Sequence, residues 1–255
     1  MKKTAIYFLM MTFVASTILT SCKKDEKDDD DNNNTQTVVN VTDLFNYSDA
    51  LGVLVGVKTV TTQNVGGFET SIELGTAVAV FPNAAGSTKF LDAGTVKNNT
   101  KTLTKQDNNS YVFTPAATDV TGIDFSNGSA WEVSGSSSVN AFNYTYVPFP
   151  SNPKITSNVS EVNLANGYNF TLQNANSNAD SVLFILASGS NYVSKTLPGN
   201  ATSANFTASD LATLTPSSQG LIQVTPYKIK SDIVNGEKYY FINQVTVSNF
   251  ANFKN

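Results

Sequence analysis

From Val38 to Asn255, apolar residues recur at alternate positions over short runs, and hardly anywhere at helical spacing. The runs are bounded by Gly, Asn, Asp or Pro. Successive side chains of a strand point to opposite faces, so this pattern predicts antiparallel strands joined by tight turns. In the first half the clearest are Leu51 to Val60, Thr70 to Phe81, Tyr111 to Thr114, Trp131 to Ser134 and Ala141 to Val147. The alternation in Thr70 to Phe81 slips at Gly75, which predicts a bulge.

Pro148-Phe149-Pro150-Ser151-Asn152-Pro153 then breaks the pattern. Three prolines so close together cannot continue a paired strand and favour an extended, semi-rigid connection. A domain boundary is expected there. Beyond it, strands are expected near Lys154 to Thr156, Tyr168 to Leu172, Ser181 to Ala187, Tyr192 to Thr196, Ser203 to Thr207, Leu221 to Lys228 and Tyr239 to Val247. Seven strands in this length match an immunoglobulin-like or fibronectin-type sandwich. Ser209 to Leu214 reads as one helical turn, capped by a hydroxyl or carboxylate and feeding Leu211 and Leu214 into the sandwich end. The expected fold is therefore all-β: two tandem antiparallel β-sandwich domains, residues 38–148 and 154–255, joined by the Pro-rich linker 149–153.

The first 37 residues follow different rules. Lys2 and Lys3 precede the apolar run Ala5 to Leu19, too short for a spanning helix, and then Leu19, Thr20, Ser21 and the only cysteine, Cys22. These four residues resemble the cleavage box of bacterial lipoprotein signals. The resemblance implies removal of residues 1–21, acylation of the Cys22 thiol and lasting attachment to a membrane, since two or more acyl chains anchor stably. Residues 22–37 open with Lys23-Lys24-Asp25-Glu26-Lys27 and four aspartates, holding no apolar residue to bury. They read as a solvated, disordered tether spanning on the order of 20 Å or more. An acidic run directly after the lipidated cysteine also resembles the surface-export signal of Bacteroidota lipoproteins, which implies an outer-membrane, outward-facing address.

Composition removes several chemistries. All sixteen cations are lysine, and histidine and arginine are absent. Ser-His-Asp machinery, His-bearing metal sites and the bidentate guanidinium clamp are therefore excluded. A formal charge of −4 argues against a nucleic-acid footprint, which needs a basic face. One cysteine forbids an intramolecular disulfide. No cofactor or metal is expected. Asn174 to Asp180 spaces oxygen-bearing side chains two apart, but its single carboxylate makes it a polar connection, not a calcium loop. Ser151 and Lys154 straddle Pro153 and read as linker. A glycosidase would need two carboxylates across one cleft, a pairing that sequence alone does not show.

Trp131, Tyr144 and Tyr146 are the candidate ligand-binding residues, as aromatic platforms for a sugar. Phe142, Tyr144 and Tyr146 share one face of a strand whose other face is more polar, so they read first as core. The same holds for Trp131. The functional expectation is a non-catalytic, lipid-anchored envelope protein whose sandwiches bind a glycan or an envelope protein at the cell surface. The alternatives are a structural or assembly part of an envelope complex and, behind it, a carboxylate-based glycoside hydrolase.

Overall fold

The computed structural model describes residues 50–255 apart from 66–67, 84–88, 117, 120 and 176–177. The expected signal and tether, with Leu19, Thr20, Ser21 and Cys22, lie outside the described residues.

Among these residues the strands are β1 (Gly52–Val65), β2 (Phe68–Val80), β3 (Val96–Asn98), β4 (Lys101–Thr102), β5 (Thr104–Lys105), β6 (Tyr111–Phe113), β7 (Ser129–Val133) and β8 (Phe142–Tyr146). After the Pro-rich segment come β9 (Glu161–Asn163), β10 (Tyr168–Thr171), β11 (Ser181–Ser188), β12 (Asn191–Pro198), β13 (Ser203–Phe206), β14 (Ser217–Val234) and β15 (Glu237–Lys254). The chain is an all-β sandwich protein, as the alternation predicts.

The C-terminal half divides as an immunoglobulin-like sandwich does. One layer runs β12-β11-β14-β15 with β9 parallel to the end of β15, and the facing layer is β10-β13. Lys154 to Thr156 forms no strand of its own, only a bridge from Ile155 to Leu172. Val182, Phe184, Leu186, Ile222, Val224 and Phe253 meet Phe170 and Phe206 between the layers. Leu211 and Leu214 close one end from the expected turn, where Thr207 and Asp210 cap reciprocally: Thr207 N donates to Asp210 Oδ2 and Asp210 N to Thr207 Oγ1.

The two halves share a layer. β14 and β15 are 18 residues each, which makes their hairpin a spine about 60 Å long. Its far end passes beyond the C-terminal sandwich, and β1 pairs there in parallel with β15 from Gly52↔Tyr239 to Val60↔Val247. The sheet continues through β2, β6 and β5, and β4-β3-β7-β8 packs over it. Tyr239 and Phe241 of β15 thus belong to the same core as Leu54, Trp131, Val133 and Phe142. The Pro-rich segment does interrupt strand structure, but one sheet runs through both sides of it. Pro226 lies mid-spine, between the pairs Val224↔Val247 and Tyr227↔Gln244, with the β14–β15 register unchanged across it. It has no N–H to give the ladder.

Three sequence expectations need correction. The spine strands run past Lys228 and begin before Tyr239, because Asn235 (φ 52°) and Gly236 (φ 83°) form a two-residue hairpin turn between them. β1 and β2 likewise extend to Val65 and from Phe68 as one hairpin. Gly75 is not a bulge, since the β1–β2 register is unbroken. A Cβ there would stand 1.8 Å from Ile123 O, so the glycine admits a crossing backbone.

Candidate functional site

The sequence-chosen aromatics face inward. Trp131 is 2% exposed, so its indole offers no face to a ligand outside. Tyr144 stacks on Phe241 at 3.6 Å with the rings 8° from parallel, and its hydroxyl donates to Asp232 Oδ2 at 2.9 Å. Burial first, then the Asp232 carboxylate, pushes the Tyr144 hydroxyl up to about 12. That hydrogen bond holds Asp232 below its usual range. Tyr146 is also pushed up to about 12, by burial and then by the charge of Asp180. The structure brings the three together as the inner face of β7 and β8.

The remaining sequence candidates are engaged locally. Asp180 contacts Lys228 at 3.2 Å and accepts from Ile229 N at 2.8 Å. Asn178 receives the backbone N and the hydroxyl of Ser151 and donates to Phe149 O, strapping the Pro-rich segment down. Carboxylates pair with lysines on neighbouring elements: Glu73 with Lys58, Asp92 with Lys105, Asp119 with Lys101, Glu132 with Lys97, Glu161 with Lys254 and Asp210 with Lys195. Such exposed pairs are screened by solvent and add little net stability, so they tune the surface more than they hold the fold.

One exposed feature escaped sequence reading. Phe250 is 68% exposed, whereas Phe253 on the same strand is 1% exposed. Gly220 makes this division possible: a Cβ there would stand 2.3 Å from the Phe253 ring, so the glycine leaves room for that ring inside. The pairing registers then set four residues in one row across the second face of the C-terminal layer, a face on which Leu183, Ile185 and Ala187 are themselves buried. Tyr192 on β12 is opposite Ala187 on β11, Ala187 is opposite Leu221 on β14, and Leu221 is opposite Phe250 on β15. Tyr192 and Leu221 are half-buried against the core cluster of Leu183, Ile185 and Ala187, which leaves Phe250 as the widely exposed member of the row.

Phe250 lies far from the first described residues of the chain. Leu51 N donates to Lys238 O, beside the Asn235-Gly236 turn, at one end of the spine. Phe250 stands about 40 Å further along β15.

No family model matches the chain, and no curated protein matches it. Among solved structures, a chain from a 1.5-MDa bacterial ice-binding adhesin, described for host cell surface retention, is similar over 82% of this chain and 99% of its own. The identity is 13% and the TM-score 0.22, too low for the likeness to carry weight.

Proposed function

We propose that this chain is a non-catalytic, lipid-anchored protein of the cell envelope that holds a binding surface away from the outer membrane, on its outer side. The observation that carries this reading is the placement of the two ends of the spine. Leu51, at the start of the described strands, lies beside Lys238, and the exposed Phe250 stands at the opposite end. A rigid sheet common to both halves keeps these ends apart in a way that two flexibly linked modules would not. The pairing of carboxylates with lysines supports the non-catalytic part, because a hydrolase of this composition would need two carboxylates facing one cleft.

A second reading, a structural part of an envelope complex, is favoured by one feature. β15 follows β1 only to Val60, and β6 meets β2 only at Ala77 to Ala79. Among the described residues, Thr61 to Val65 and Phe68 to Leu74 therefore form ladder pairs only with each other, as a hairpin arm whose outer edges suit strand addition.

Fractionation of cells carrying the full chain or Cys22→Ser tests the anchor. The wild type is expected in the membrane pellet and the variant in the soluble fraction. A variant that stays equally firmly in the pellet would contradict lipid anchoring.

A further inference from the structure

We infer that residues 38–49, which precede β1, dock on the second face of the large sheet and cover it. The inference goes beyond the proposed function and assumes one part of it, the removal of residues 1–21. Both facing layers lie on the other side of that sheet. Leu54 is opposite Phe241, and Val60 and Val224 are both opposite Val247, so the residues under β4-β3-β7-β8 and those under β10-β13 share one face. Val53, Val55, Leu183, Ile185, Tyr227 and Ile242 belong to the opposite face.

An antiparallel sheet that leaves its second face free turns polar residues to water there. This face is apolar and closed: Val53 and Ile185 are 0% exposed and Ile242 1%. The cluster runs across β2, β1, β15, β14 and β11, four strand spacings or about 19 Å. Among the described residues, Phe90 is its one member from outside the sheet. A single phenylalanine does not keep water from a face of that width.

The cover belongs to the same chain, because these side chains are already shielded within one copy. Apart from the first 49 residues, the stretches outside the described ones are short and hold no apolar side chain larger than Val120. Residues 23–37 hold no apolar side chain at all, whereas Val39, Val41, Phe45 and Tyr47 stand at alternate positions, interrupted by Asp43. Residues 38–49 reach about 40 Å when extended, enough to cross the cluster from Leu51 beside Lys238. The rim of the same face is open at Ile72, Ile233 and Phe250. The cover is therefore narrow, which suits one extended segment better than a further domain layer.

The test is hydrogen exchange, read by mass spectrometry on the full chain purified from membranes in detergent. The intact mass shows whether residues 1–21 are removed and acyl chains attached, which reads the processing apart from the docking. Peptides from 38–48 are expected to exchange at least about 100-fold more slowly than those from 23–37, at every protein concentration. Val55→Thr, on the covered face, should speed their exchange at least about tenfold relative to peptides of β11, and Val182→Thr, on the other face, should not. The inference is overturned if 38–48 exchanges as fast as 23–37, if the two variants act alike, or if protection appears only where light scattering shows a dimer. A chain that keeps residues 1–21 and protects Ala5 to Leu19 in place of 38–48 overturns it as well.

Discussion

The hydroxyl of Ser129 donates to Oδ1 of Asn243 at 2.7 Å, although 114 residues separate them in the chain. Asn243 is fully buried on the shared strand β15, and its amide donates to Tyr146 O at 2.8 Å and Pro148 O at 2.9 Å. One side chain thus fixes β7, the end of β8 and the start of the Pro-rich segment to the spine. Gly56 lies against the same spot, where a Cβ would stand 2.4 Å from Ser129 Oγ. Replacing Asn243 by Leu leaves the buried Ser129 hydroxyl and two backbone carbonyls without their partner, and a loss of about 3 kcal/mol is expected in denaturant unfolding. The two halves should unfold in one transition, because β14 and β15 belong to both. Two separated transitions in the wild type would contradict the shared layer.

Glycine substitutions should sort by what their Cβ meets. At Gly75 the obstacle is Ile123 backbone oxygen at 1.8 Å, which cannot rotate away, so Gly75→Ala should cost roughly 3 kcal/mol or more. At Gly236 nothing lies within 4 Å, but φ is +83°, so Gly236→Ala should cost only about 1 kcal/mol. Equal losses in the two variants would argue against the close crossing at Gly75.

Stability should fall at both ends of the pH scale. Lys105 first, then the Gly94 N–H and the Tyr111 hydroxyl, hold Asp92 at about 2, below its ordinary 3.8. A carboxyl lowered by folding contributes stability above about pH 4 that is lost as pH falls toward 2. Asp92→Asn should flatten that acid limb. The effect is small, because Asp92 and Lys105 are both half exposed to screening solvent. Burial pushes Tyr111, Tyr144, Tyr146 and Tyr239 up to about 12. The unfolded chain releases these protons near 10 while the folded chain keeps them, so stability falls between about pH 10 and 12. Circular dichroism should be lost together with the rise of tyrosinate absorbance from these residues. Their ionisation in a chain that keeps its dichroism would contradict the burial.

Lys195 sits on β12, the edge strand of the large sheet, and its side chain crosses to the opposite layer. Its ammonium donates to Asn205 O at 2.6 Å and Asp210 Oδ2 at 2.8 Å, above the Phe206 ring. A charged side chain turned inward on an edge blocks pairing with another sheet. Lys195→Val should therefore shift the protein from monomer toward larger species in light scattering, with a loss of about 1 kcal/mol in the monomer. A variant that stays monomeric at every concentration would deny the edge role.

How far the fold was legible depends on the range of each signal. The continuous apolar run of Ser181 to Ala187 and the alternation of Trp131 to Ser134 report burial locally, so these strands stand where they are expected. Lys230, Asp232, Glu237 and Lys238 obscured the far half of the spine, although Asn235-Gly236 is itself a strong hairpin signal. The parallel pairing of β1 with β15 leaves no local trace, since its register is set by Tyr239 and Phe241 packing with Leu54 across the whole chain. Trp131, Tyr144 and Tyr146 were legible as an inward face. Phe250 was overlooked because Val247, Ala251 and Phe253 define the inner face of that strand, which leaves Phe250 outward between polar Ser248 and Asn252.

The most direct measurement uses the single cysteine of the chain. A membrane-impermeant maleimide is applied to intact cells carrying the wild type, Phe250→Cys or Ile185→Cys. Acylation would block the Cys22 thiol, so the wild type should remain unlabelled. Phe250→Cys should label on whole cells, and Ile185→Cys, at a position fully buried in the fold, should not. Labelling of Phe250→Cys only after lysis, or of the wild type at Cys22, would contradict a lipid-anchored protein that holds Phe250 outward from the cell.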